Sequence, residues 1–77
     1  MHHFFSILKQ LKASIVEASH WRTSILKVMT VLPGGHSYEE IERAIRVAGV
    51  HPVDIYECLV AHRTTFSMQR FYQALEP

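Results

Sequence analysis

The sequence predicts an all-α protein, a small orthogonal bundle of four to five helices forming one domain over residues 1–77. Three observations carry this. The internal glycines and prolines fall in two places, Pro33-Gly34-Gly35 and Gly49 to Pro52, and the long stretches between them lack the frequent breakers of a chain of short strands. Apolar residues recur at three- and four-residue intervals. The third observation is a helix-start signature, Ser37-Tyr38-Glu39-Glu40.

In the first segment the apolar stripe runs Phe4, Leu8, Leu11, Ile15, Ala18, Ile25, Met29 and Leu32, with Arg22 its one intruder and Ile7, Trp21 and Val28 widening it. The polar run Ser19 to Ser24 holds poor helix formers and possible caps. The segment therefore reads either as one helix or as two, and a break near residues 19–23 is the expectation, with Thr23 or Ser24 capping Ile25 to Leu32.

The next helix is expected over 37–48. Ser37 accepts from the third helical amide and Glu40 reaches back, as a capping box requires. Glu39–Arg43 and Glu42–Arg46 are spaced as i,i+4 pairs in the favourable order, each contributing about 0.3–0.5 kcal/mol. Tyr38, Ile41, Ile45 and Ala48 form the inner face, and Gly49 supplies the stop. Pro52 then opens a helix running to Arg63, at a position where its missing N–H costs nothing, and Asp54 in the first turn suits the helix dipole. Ile55, Tyr56, Leu59 and Val60 are expected inside. The Thr64-Thr65 pair caps a short final helix, with Phe66, Met68, Phe71, Tyr72 and Leu75 as its inner face.

Composition narrows the function. Eight Lys and Arg against seven Asp and Glu leave a formal charge of +1, too little for binding nucleic acid by field alone. The charge is divided unevenly. Residues 1–36 hold four basic residues and one acidic, +3, whereas residues 37–77 hold four basic and six acidic, −2. No apolar run approaches the roughly 18 residues needed to span a bilayer. The opening residues lack the basic start of a secretory signal, and Lys9 and Lys12 interrupt the apolar stretch. With one cysteine, the expected setting is reducing and cytoplasmic.

Chemistry-bearing motifs are sparse. Residues 38–63 have the outline of a helix-turn-helix with Ala44 at the crossing. The second helix would then present Asp54 and Glu57 to the phosphates, with no Arg, Lys, Asn or Gln placed to read bases. Cys58 and His62 are four apart and could share one metal ion only if His20, His36 or His51 converged on them. As a nucleophile pair they lack a third orienting group. Gly34-Gly35 before a helix could receive phosphate but lacks the lysine and the strand of a P-loop. The expectation is a protein with no catalytic residues, no metal and no cofactor.

What remains is the first segment as an interaction surface. A 77-residue chain buries only about 60% of its unfolded surface, and a surplus apolar face usually meets another protein or a second copy. A membrane-surface helix is the competing use, with Lys9 and Lys12 at the headgroups, but two lysines make a thin basic flank for it. The expected partner-binding residues are Phe4, Phe5, Leu8, Leu11, Ile15, Trp21 and Arg22, rimmed by Lys9 and Lys12. Aromatic and Arg side chains are the usual energetic centres of such faces.

Two fragments, Ile41-Glu42-Arg43-Ala44-Ile45 and His62-Arg63 with Phe71-Tyr72 and Pro77, resemble the Hha-like small helical modulators of bacterial nucleoid proteins. The spacing between them differs from that family and the N-terminal half has no counterpart, so no residue role carries over. The second reading is a small helix-turn-helix-like regulator or nucleoid-protein modulator that contacts DNA through the basic first half, since the acidic start of the helix at 52–63 opposes phosphate.

Overall fold

A computed structural model describes residues 2–76, with the side chains of residues 2–5, 13 and 14 outside the description. Four helices are present among the described residues: α1 (His2–Val31), α2 (Tyr38–Ala48), α3 (Pro52–Val60) and α4 (Phe66–Leu75), and no strand. The protein is a small all-α bundle, as its glycine, proline and apolar spacing predict.

The expected break at 19–23 does not occur. α1 runs unbroken through Ser19, Thr23 and Ser24. Poor intrinsic helix formers are overridden here by packing, because Ser24, Ile25 and Val28 are all buried against the rest of the bundle. Farther along, Thr30 satisfies its hydroxyl by donating to the Lys27 carbonyl at 2.6 Å without disturbing the helix.

The Pro33-Gly34-Gly35 turn has Gly34 at φ 107° and Gly35 at φ 67°, which glycine adopts without steric cost. It delivers the chain to Ser37, whose hydroxyl accepts from the Glu40 N–H at 3.2 Å. The far end of α2 closes with Gly49 in the left-handed region. Its N–H donates to the Arg46 carbonyl and the Val50 N–H to that of Ile45, the paired bonds of a Schellman motif. Of the two ion pairs expected on α2, Glu42–Arg46 closes at 3.5 Å, whereas Glu39–Arg43 does not form.

α3 begins at Pro52 as expected, with the His51 Nδ1 accepting from the Val53 N–H at 3.1 Å. It ends at Val60, three residues before the expected Arg63. The cause is a second Schellman closure: His62 takes φ 53°, its N–H donates to Leu59 and the Arg63 N–H to Cys58. Thr65 then caps α4 by accepting from the Met68 N–H at 3.2 Å.

One core joins all four helices: Ile25, Val28 and Leu32 from α1, Ile41, Ala44, Ile45 and Ala48 from α2, Ile55 from α3, and Met68, Phe71 and Leu75 from α4. α2 packs chiefly on α4 and α1 chiefly on α3. Three inward assignments are corrected. Val60, Phe66 and Tyr72 are exposed, whereas Tyr38, Tyr56 and Leu59 are half-buried against the core as expected. Helices of nine and ten residues have two or three turns, so the buried arc is filled by Ile55 on α3 and by Met68, Phe71 and Leu75 on α4.

Candidate interaction surface

A 30-residue helix is about 45 Å long, but the bundle it belongs to is only about 20 Å across, and the whole molecule measures 50 × 22 × 20 Å. Three short helices cannot cover α1. They reach as far as Trp21, and every side chain described between Ser6 and His20 is exposed. Leu8, Leu11 and Ile15 retain 46, 56 and 70% of their accessible surface, and Ile7 and Val16 are exposed beside them.

The apolar stripe is continuous in sequence but not in direction. A seven-residue repeat drifts about 20° per heptad on a straight helix, so between Leu11 and Leu32 it winds about 60° around α1. At Ile25 and Leu32 it faces the other helices. At Leu8, Leu11 and Ile15 it has swung away and has nothing to face.

The expected partner-binding set divides in three. Leu8, Leu11 and Ile15, with exposed Lys9 and Lys12, form a projecting arm. Trp21 and Arg22 sit at the joint between arm and bundle. Trp21 is half-buried, with the Arg46 guanidinium 4.9 Å from its ring centroid and the His51 ring edge-on at 5.7 Å. Its Nε1 is buried with no hydrogen-bond partner among the described residues. Arg22 lies 5.9 Å from the Tyr38 ring. Phe4 and Phe5 lie outside the described side chains.

Two exposed features escape a search for stripes. Val16 falls one residue off the heptad positions and so reads as polar-face filler. On the outer side of α3, Val53 and Val60 are exposed with Asp54 and Glu57. The seven-residue spacing of the two valines, opposite to buried Ile55, was the available signal.

The remaining motifs are placed as follows. α2 and α3, the candidate helix-turn-helix pair, barely touch each other, α2 packing chiefly on α4 and α3 chiefly on α1. The N-terminus of α2, beside Gly34-Gly35, already holds a carboxylate: Glu40 lies 3.2 Å from His36 Nδ1 and 3.2 Å from the Ser37 hydroxyl. These hydrogen bonds, from His36 first and then from the Ser37 side chain and backbone, hold the Glu40 carboxyl below its ordinary value. Because α3 stops at Val60, Cys58 and His62 do not share a helical face. Cys58 Sγ instead lies 3.8 Å from Thr65 Oγ1. Among the described residues no group of three His, Cys, Asp or Glu side chains is placed to hold a metal ion. No described helix is long and apolar enough to cross a membrane.

Comparison with protein-family models, with characterised proteins and with solved structures found no match for the chain.

Proposed function

We propose that this protein is a small non-enzymatic interaction module, a regulator, inhibitor or adaptor acting in the cytoplasm, that binds protein partners through the projecting half of α1. The observation that supports the reading is the arm itself. Leu8, Leu11 and Ile15 stand in solvent on a helix whose other half is packed, although an amphipathic helix gains most of its stability by burying its apolar face. A bound partner completes that burial. Lys9 and Lys12 rim the face and favour an acidic complement.

The test is capture of partners from a native lysate by the full chain, compared with a Leu8→Asp/Leu11→Asp variant. The variant is expected to keep its helical content and cooperative unfolding, because neither residue touches the core, and to lose capture. Retained capture by a folded variant overturns the reading. A mobility shift of duplex DNA that collapses with salt and ignores both substitutions would favour the nucleic-acid alternative.

A further inference from the structure

We propose that the arm docks antiparallel on the outer face of α3 of a second copy of this chain. This rests on the reading of the arm as a docking face and names what occupies it in the isolated protein.

The argument is a match between two exposed helical faces. On α1 the residues Leu8, Lys9, Lys12 and Ile15 stand at positions i, i+1, i+4 and i+7. On α3 the residues Val53, Asp54, Glu57 and Val60 stand at the same four positions. All eight are exposed, the valines at 39 and 53%. In each set two apolar residues about 10.5 Å apart mark a midline, with one charge about 50° and the other about 110° to the same side of it. The apolar ends agree and the charges are opposite.

Geometry then selects the orientation. Two helices that face each other antiparallel bring flanks of the same hand together, whereas a parallel pair sets them on opposite sides. Antiparallel docking therefore places Leu8 on Val60, Ile15 on Val53, and Lys9 and Lys12 against Glu57 and Asp54. The same rule disfavours arm against arm over these residues, because it would set the Lys9–Lys12 flank on its own copy. None of the four charged side chains has an ion-pair partner among the described residues of its own chain. Arg63 borders the acidic pair across a shallow depression of about 260 Å³, and two carboxylates against one guanidinium leave that flank acidic. The division of the chain into a +3 half and a −2 half extends the complementarity beyond the four side chains. Each copy offers one arm and one α3, so a two-fold pair makes the contact twice and closes as a dimer.

The test uses the full chain and its mass in solution by sedimentation or light scattering over a wide concentration range. The wild-type chain is expected to dimerise reversibly. Lys9→Glu/Lys12→Glu and Asp54→Lys/Glu57→Lys should each weaken dimerisation about tenfold or more, since each sets like charges together in both contacts. Mixed one to one, the two variants should pair with each other at near wild-type strength, because both contacts in the mixed dimer are again opposite in charge. Glu57→Lys alone, which leaves the first turn of α3 intact, guards against misfolding and should weaken dimerisation in the same direction. A monomer at all concentrations, or variants that do not rescue one another, overturns the proposal. If the chain is monomeric while Leu8→Asp still abolishes capture of another protein, the docking-face reading stands and this one falls. Binding to anionic vesicles by a monomer, lost with Lys9→Glu/Lys12→Glu and unaffected by Glu57→Lys, overturns it in favour of a lipid surface.

Discussion

The Arg46 guanidinium lies 4.9 Å from the Trp21 ring centroid, joining the last turn of α2 to the point where α1 enters the bundle. Arg46 also reaches Glu42 at 3.5 Å, so the cation is held over the ring. Trp21→Ala is expected to cost about 3 kcal/mol, the low end for a large aromatic because the ring is only half-buried. Arg46→Ala should cost about 0.5–1 kcal/mol, and a double-mutant cycle in urea should give a coupling of about that size.

The two halves of α1 should respond oppositely to the same substitution. Ile25→Ala removes a fully buried side chain and is expected to cost about 2–5 kcal/mol. Ile15→Ala, on the exposed arm, should change the stability of the monomer by less than about 0.5 kcal/mol. Urea unfolding at low concentration, where association does not contribute, checks both. An equal loss for the two would mean that the arm is packed within the monomer.

His62 occupies the left-handed position that glycine usually fills. His62→Gly removes the clash of Cβ in that conformation and is expected to leave stability unchanged or raise it by up to about 1 kcal/mol. Gly49→Ala introduces that clash at φ 68° and should destabilise by about 1 kcal/mol. Thermal unfolding should show a lower midpoint for Gly49→Ala and no decrease for His62→Gly if both closures are as described.

Glu40 supplies a pH dependence of defined sign. Its folded carboxyl titrates below the ordinary 4.5 because His36 and Ser37 donate to the ionised form. The unfolded chain therefore binds the proton first as pH falls, and the stability this carboxylate contributes is complete above 4.5 and declines through the more acidic range. Glu40→Gln is expected to flatten the stability profile there, measured by urea unfolding across that range. Ser37→Ala, which removes the cap acceptor of Glu40, should cost about 1 kcal/mol at neutral pH.

How much of this was legible in the sequence depends on how local its cause is. Ser37, Gly49, Pro52 and Thr65 act within a few residues of themselves, and each starts or stops a helix where its chemistry says it should. The a/d spacing likewise determined that residues 4–32 are helical and amphipathic. The run Ser19 to Ser24 misled because its weak propensity is local, while the burial of Ser24, Ile25 and Val28 that overrides it is supplied by distant helices. The end of α3 at Val60 depended on His62 accepting a left-handed conformation, for which glycine is the usual sign.

By itself, then, the sequence determined the helices, their caps and the apolar stripe, and it named Leu8, Leu11, Ile15, Lys9 and Lys12 as a face. The tertiary structure decided which part of that stripe is core. Three helices of nine to eleven residues cover only about half of a helix about 45 Å long, and the slow winding of a seven-residue repeat turns the uncovered half aside. Half-buried Trp21 marks that boundary, and the leucines of the arm lie beyond it. Length and direction in three dimensions, which no local pattern encodes, make the difference between a core residue and an exposed one.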